Sequence, residues 1–193
     1  MSDHTPETQD TPPEASKSDA IDQSRRKLTG AALGVSAVFT LASRPVWANQ
    51  CTISGMASGN LSKAPGPSCA GCTPGYWKQD QHLDSWIPTS YKTTDTFNAV
   101  FKTTQYVKPD STPYTLLEVM LTLNGNGNGT PDPISTNLGF HAVAALLNAA
   151  HPSVNYGYTS GEIITLFQNN YLSNGEALKD SFEMLNQRGC PLN

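Results

Sequence analysis

The four cysteines of this 193-residue chain constrain its fold more than any other feature of the sequence. They are Cys51, Cys69, Cys72 and Cys190. An even number of cysteines in a small exported domain predicts two disulfides, and four cysteines allow three pairings. We prefer Cys51 with Cys69 and Cys72 with Cys190, and the other pairings stay open. Because Cys190 lies close to the C-terminus, a bridge from it closes a long loop, worth roughly 4 to 5 kcal/mol in the chain-entropy model.

The N-terminal quarter of the chain has the pattern of an export signal. Residues 1–24 are acidic and contain several prolines, so we expect them to be disordered. Arg25 and Arg26 then precede a modestly apolar run, which is followed by small residues before a cleavage point after Ala48. Paired arginines before a weakly hydrophobic run favour the twin-arginine route. The sequence therefore predicts a signal peptide over 25–48 and an exported domain over 49–193, periplasmic or extracellular.

The predicted exported part has the length of one domain and little net charge. It contains seven Lys or Arg and ten Asp or Glu residues. It lacks the basic stripe that is typical of nucleic-acid-binding proteins. It also lacks an apolar run long enough to span a bilayer. We therefore expect no nucleic-acid partner and no transmembrane helix after residue 48.

Apolar periodicity predicts an all-α fold, an irregular small helical domain. Its N-terminal segment, residues 49–71, has no helical period and is expected to be tied down by its disulfides. Short helices are predicted over 73–78 and over 96–101, the second capped by Thr94 or Asp95. Alternation of apolar and polar residues is missing over any useful length, which argues against a strand-rich fold.

Longer helices are predicted in the second half of the domain. Thr112 and Pro113 are interpreted as a cap and a first-turn proline for a helix over 114–123. The Asn- and Gly-rich tract 124–129 then predicts a flexible turn rather than a calcium loop. The strongest helical pattern covers 137–150, with a core face made of Phe140, Val143, Ala144, Leu146 and Leu147.

Two capping-box patterns predict the last two helices. Thr159 with Glu162 opens one helix, and Ser173 with Glu176 opens the other. Each is followed by apolar residues at helical spacing, which complete the predicted core: Ile163, Leu166, Phe167 and Tyr171 in the first, and Leu178, Phe182 and Leu185 in the second.

Cys69 and Cys72 also form a CxxC pair, which admits two further interpretations. The pair can bind a metal if the fold brings His82 or Cys51 to it, because a structural zinc site needs four converging ligands. It can also act as a thiol redox pair, although the sequence around it lacks the βαβ pattern of a thioredoxin-like site. Structural disulfides are favoured for an exported chain. No cofactor is expected.

Three aromatic residues, Tyr76, Trp77 and Trp86, are candidate ligand contacts. Such rings stack on sugars or peptides, but aromatic residues this close together also form the core of small domains, which we favour. Motifs of serine hydrolases, zinc proteases and phosphate-binding loops are absent from the sequence. His141 and His151 lie too far apart on one helix to share a metal, so each is expected at a helix end or at the core edge.

Three motifs in combination carry a resemblance to a known group of proteins. They are Thr73-Pro-Gly-Tyr-Trp-Lys78, His141-Ala-Val-Ala-Ala-Leu-Leu-Asn148 and Cys190-Pro-Leu192. The chain resembles secreted bacterial proteins and surface-protein modules that share TPGYWK, HAVAALLNA and GCPL motifs. The resemblance covers nearly all of the exported part and implies an extracytoplasmic domain. It implies no catalytic residue, because the group has no assigned activity. Cys72, directly before the first motif, departs from the group's pattern.

These observations favour an exported, non-enzymatic envelope or secreted module that acts by structure or by binding. An envelope polysaccharide or a surface protein is the expected kind of partner. The first alternative is a metal-binding protein that uses Cys69 and Cys72 and is loaded before export. The second alternative is a thiol oxidoreductase, which requires a reactive thiolate at one of the same two cysteines.

Overall fold

The structure is a computed structural model that describes residues 51–52, 68–123 and 130–193. All of these belong to one compact unit, Val38–Asn193. The predicted acidic extension over 1–24, the predicted signal peptide over 25–48 and the Asn- and Gly-rich tract lie outside the described residues.

The described part of the chain is helical, which confirms the all-α prediction. It contains α1 (Pro74–Trp77), a 3₁₀ helix (Asp80–Thr89), α2 (Phe97–Phe101), α3 (Leu116–Thr122), α4 (Leu138–Ala150), α5 (Ser160–Asn170) and α6 (Gly175–Asn186). Within the described residues, three isolated antiparallel bridges also join segments outside these helices. No helix among them is both long enough and apolar enough to cross a membrane.

Helix α4 is the central element of the domain. It contacts α1, α3, α5, α6 and the 3₁₀ helix. Residues 141–148 are all buried, and of the predicted core face only Phe140 is partly exposed. A helix that is apolar on nearly every side must be covered on every side. The short α1 and the 3₁₀ helix therefore cover the part of α4 that α3, α5 and α6 leave open.

The N-terminus of α4 is held by Asp132, a residue that the sequence patterns do not single out. Its carboxylate accepts hydrogen bonds from the N–H of Gly139 at 2.7 Å and from the hydroxyl of Tyr106 at 3.1 Å. Burial raises the pKa of Asp132 above its usual value, against the opposing effect of its backbone hydrogen bonds. Asn137 is the N-cap by position, but its side chain makes no capping hydrogen bond. A carboxylate seven positions before Gly139 therefore takes the role of the N-cap side chain.

The predicted start of the third helix is wrong. Helix α3 begins at Leu116, where Thr115 and Glu118 form a reciprocal capping box. Pro113 instead forms an antiparallel bridge with Val107. The extended backbone at Tyr114 accepts a hydrogen bond from the N–H of Phe97 at 2.9 Å. Pairing with distant backbone thus keeps this segment out of the helix, although its proline is compatible with a first turn.

The second predicted capping box is wrong as well. The N-cap of α6 is Asn174, and it makes no side-chain capping hydrogen bond. The carboxylate of Glu176 accepts a hydrogen bond from the hydroxyl of Ser135 and forms an ion pair with Lys179 at 3.2 Å. Glu176 is therefore engaged by other partners. The cap of α2 is also displaced: it is Thr96, not Thr94 or Asp95.

Candidate functional site

Two disulfides join the cysteines in the preferred pairing. Cys51 is bonded to Cys69 and Cys72 to Cys190, with Cα–Cα distances of 5.3 and 4.3 Å. The two cysteines of the CxxC pair therefore have different partners. The second bridge spans 118 positions and joins the segment before α1 to the C-terminus.

Backbone contacts around the disulfides tie the two ends of the described chain together. Gly71 forms an antiparallel bridge with Gly189, and its N–H donates to the Gly189 carbonyl at 3.0 Å. Arg188 donates to the carbonyl of Cys51. A Cβ at Gly71 would collide with the carbonyl of Leu185, so only glycine allows this approach. The described parts of this predicted N-terminal segment, residues 51–52 and 68–71, are thus fastened to the end of α6, whereas residues 53–67 lie outside the described residues.

Asn148, on α4, is the centre of a buried polar network. Its amide pairs with both backbone groups of Cys72: the N–H donates to Oδ1 at 2.8 Å, and Nδ2 donates to the carbonyl at 2.8 Å. The indole N–H of Trp77 donates to the same Oδ1 at 3.2 Å. Asn148 is fully buried. One side chain therefore satisfies three groups that water cannot reach.

The network continues onto α6 through Asn186. Its Oδ1 accepts from Nδ2 of Asn148 at 3.0 Å and from the hydroxyl of Tyr156 at 2.8 Å. Its Nδ2 donates to the carbonyl of His141 at 3.0 Å. These bonds connect α4, α6 and the loop after α4. Burial raises the pKa of Tyr156 well above its usual value, so this hydroxyl stays a hydrogen-bond donor.

The three aromatic candidates for ligand contact are placed in the core. Trp77 is 0 % and Trp86 is 2 % exposed. The indole N–H of Trp86 donates to the carbonyl of Trp77 at 2.9 Å. The hydroxyl of Tyr76 contacts Ser85 Oγ at 2.8 Å and donates to the carbonyl of Leu192 at 3.3 Å. These contacts support the core interpretation of all three rings.

The three sequence motifs meet around Asn148. The first contributes Trp77, the second contributes Asn148, and the third contributes Cys190, which is bonded to Cys72. Lys78 of the first motif also lies over the ring of Phe140 on α4, with Nζ 5.3 Å from the ring centroid. Residues from all three motifs thus form one structural junction.

The residues of the alternative, metal-binding interpretation are engaged elsewhere. Cys69 and Cys72 are disulfide-bonded, and a cysteine binds metal as a thiolate. The ring of His82 stacks on Tyr76 with centroids 4.0 Å apart. In residues 51–52, 68–123 and 130–193, no three His, Cys, Asp or Glu side chains converge as a metal site requires.

The two other histidines of the domain lie at the core. His141 is 8 % exposed, and its Nε2 is 3.9 Å from the carboxylate of Glu183 on α6. Burial lowers the pKa of His141; Glu183 opposes this effect and Lys179 adds to it. His151 follows α4, and its Nδ1 accepts from the N–H of Ser153 at 3.1 Å. Burial lowers the pKa of His151 too. Both imidazoles are therefore neutral structural groups near neutral pH.

A groove opens beside Trp86, between the 3₁₀ helix and the segment that follows it. Its volume is about 520 Å³. The walls combine apolar and polar side chains, among them Asp84, Trp86, Ile87, Tyr91, Lys92 and Thr93. Ile87 is 77 % exposed, whereas Trp86 is only 2 % exposed. This groove is the part of the aromatic region that remains open to a partner.

Comparison with family models, with curated proteins and with solved structures finds no match. The resemblance to secreted modules therefore stays a prediction. The groove and the junction around Asn148 have to be interpreted from their own chemistry.

The sequence patterns missed the asparagines of the junction. Asn148 follows seven residues of which six are apolar. A polar side chain in such a run indicates a buried hydrogen-bonding role, because burying an amide is costly unless it is hydrogen-bonded. No comparable signal exists for Asn186 or for the groove. The groove residues are ordinary polar and apolar types in a short, irregular stretch of sequence.

Proposed function

We propose that this chain is an exported, disulfide-stabilised module that acts by structure or by binding and is not an enzyme. The observation that carries the proposal is the junction at Cys72. There a disulfide, a buried asparagine and two tryptophans are joined to hold the ends of the domain against α4. Disulfides of this kind persist in oxidising compartments outside the cytoplasm. Metal binding or thiol chemistry would need Cys69 and Cys72, and both are bonded in disulfides that hold the fold. The two tryptophans are buried in the core.

Export by the twin-arginine route fits this architecture. The junction requires the segment before α1, the end of α4 and the C-terminus at once, so it forms only when the chain is complete. A route that transports folded domains suits such a fold. The hydrogen bonds of the junction form before transport, and its disulfide closes afterwards in an oxidising compartment.

Export is tested by replacing the paired arginines. Arg25→Lys together with Arg26→Lys keeps the charge and removes the pair that the route requires. We expect the processed protein to disappear from the envelope and medium fractions and the precursor to accumulate in the cytoplasm. Arg44→Lys is the matched control and should leave export unchanged. Undiminished export of the double variant would contradict the proposed route.

The state of the exported protein is tested by its intact mass. Processing after Ala48 predicts a chain that begins at Asn49. Reduction of two disulfides should add about four daltons, two for each bond. The metal-binding and thiol oxidoreductase alternatives both need Cys69 or Cys72 as thiolates. Stoichiometric metal in elemental analysis, or rapid alkylation of either cysteine without reduction, would favour an alternative over the proposal.

The partner class is an envelope polysaccharide or a surface protein. Retention of the exported protein on isolated cell envelopes, released by competing soluble envelope material, is the expected result. A protein that is exported and oxidised but binds no envelope component, no surface protein and no second copy of itself would reduce the proposal to a structural role.

A further inference from the structure

The groove beside Trp86 combines an apolar wall with polar side chains that have no partner among the described residues. Its apolar part comes from Ile87, Tyr91 and Trp86. The polar groups of Asp84, Lys92 and Thr93 also face it, and their side chains make no hydrogen bond or ion pair within the described chain. Elsewhere in this domain polar side chains are often engaged locally, as Asp110 is by Thr112. An apolar wall with a small number of polar groups is the usual composition of a ligand site.

The groove has the size of a small-molecule site. Its volume of about 520 Å³ lies within the range of about 300 to 1,000 Å³ that such sites occupy. The backbone beneath it is well supported. The hydroxyl of Thr89 donates to the carbonyl of Trp86 at 2.7 Å, and the carboxylate of Asp95 accepts from the N–H of Lys92 at 2.8 Å. The N–H of Leu117 on α3 donates to the carbonyl of Thr93 at 3.3 Å. The floor of the groove is therefore largely pre-formed.

The chemistry of the walls selects a class of ligand. A sugar ring presents an apolar C–H face and a rim of hydroxyl groups. Tyr91 and Ile87 offer a surface for the first. A carboxylate, an ammonium and a hydroxyl offer acceptors and donors for the second. Because Asp84 and Lys92 carry opposite charges, the groove has no net charge that would attract a polyanion.

From this geometry we infer that the groove beside Trp86 is a binding site for a neutral saccharide. The inference rests on the proposed function, because it names the ligand class of an exported binding module. Asp84 and Lys92 bind the sugar hydroxyls, and Ile87 and Tyr91 contact the ring face. Trp86, which also lines the groove, is held in place by the hydrogen bond from its indole N–H to the carbonyl of Trp77.

The test uses the exported protein, purified with its disulfides intact and labelled for NMR. It is titrated with a panel of soluble neutral oligosaccharides: cellotetraose, maltotetraose, a mannose tetramer and an N-acetylglucosamine tetramer. We expect saturable binding of at least one, with the largest amide shifts at residues 84–94. Ile87→Ser and Asp84→Ala should each weaken binding at least ten-fold.

A matched control distinguishes binding in the groove from nonspecific binding at exposed apolar residues. Leu172 is 69 % exposed at the end of α5 and is absent from the groove. Leu172→Ser should bind like the unmodified protein, and all three variants replace exposed side chains, so their folds should be retained. Binding that survives Ile87→Ser overturns the inference. So does a protein that binds none of the panel at millimolar concentration, or that binds only a peptide or an anionic polymer.

The outcomes for the inference and for the proposed function are distinguishable. Export and intact mass test the module, and the titration tests the groove. If the protein is exported and oxidised but no neutral saccharide binds at residues 84–94, the groove inference is wrong and the module proposal stands. If the protein is not exported, the proposed function fails irrespective of the titration.

Discussion

At the scale of single residues, Asn148 joins α4 to the segment before α1, to α1 and to α6. It pairs with both backbone groups of Cys72 and accepts from the indole of Trp77. A buried polar group left without its partner loses about 1 to 3 kcal/mol. The side-chain amide of Asn148 therefore pairs with the backbone of Cys72 as a neighbouring strand would, although it lies inside a helical core.

Replacing Asn148 tests this role. Asn148→Ala leaves the N–H and carbonyl of Cys72 and the Trp77 indole unpaired, so we expect the free energy of unfolding to fall by roughly 3 kcal/mol. Urea unfolding followed by circular dichroism measures the change. Asn169→Ala, at an exposed position of α5, is the control and should stay within about 0.5 kcal/mol. A loss below about 1 kcal/mol for Asn148→Ala would contradict the network.

His141 predicts a pH dependence of stability. Burial lowers its pKa in the fold below the usual value of about 6.5, so the unfolded chain takes up a proton first as the pH falls. Stability is thus fully present above about pH 6.5 and declines as the pH falls towards the folded pKa. His151 contributes in the same direction. Glu183, Lys179 and Asp180 are the charged groups that act on His141.

The measurement is the urea midpoint between pH 7.5 and 5. We expect the midpoint to fall with pH, and His141→Asn should make this decline shallower. Comparing variant with wild type removes the contribution of Asp132, whose raised pKa acts in the opposite direction. Asn169→Ala should keep the wild-type slope. An unchanged slope in His141→Asn would show that this imidazole is not the group responsible.

At the scale of elements, two similar sequence patterns have different outcomes. Thr159 and Glu162 form a reciprocal capping box at α5, with the Thr159 N–H donating to the Glu162 carboxylate at 2.8 Å. Ser173 and Glu176 have the same spacing but form no box, because Glu176 is engaged by Ser135 and Lys179. The difference arises from what lies next to each helix in space.

Alanine substitution separates these two patterns. Thr159→Ala removes a working cap and should lower the free energy of unfolding by about 1 kcal/mol. Ser173→Ala removes an exposed hydroxyl outside the cap and should change it by less than about 0.5 kcal/mol. Equal losses in the two variants, measured by thermal and urea unfolding, would mean that both boxes form in solution.

At the scale of the whole molecule, the two disulfides close loops of very different length. Their sequence separations are 118 and 18 positions. In the chain-entropy model these loops are worth about 5 and about 3 kcal/mol. The longer loop also positions the backbone of Cys72 against Asn148, so its loss should affect the junction directly.

Pairwise removal of the disulfides tests this ranking. Cys72→Ala with Cys190→Ala should destabilise the domain more than Cys51→Ala with Cys69→Ala, by roughly 2 kcal/mol on loop entropy alone. Urea unfolding of the two double variants under identical conditions gives the comparison. The reverse order would indicate that the N-terminal segment, not the junction, limits stability.

Local signals in the sequence determined the helical class, the position of α4 and the capping box of α5. Each depends on residues a few positions apart: apolar spacing over 137–150, or a threonine and a glutamate three positions apart. The burial of Leu178, Phe182 and Leu185 on α6 was predicted for the same reason. The preferred cysteine pairing proved right, although sequence allows three.

Only the tertiary structure decided the junction, the extended backbone at Tyr114 and the groove. Asn148 and Cys72 are 76 positions apart, and Tyr114 owes its extended backbone to Phe97 and Tyr106. Such pairs leave no periodic trace in the sequence. Local patterns report which conformations a segment favours, whereas distant backbone and side-chain groups decide which of them is kept, because every buried polar group must find a partner.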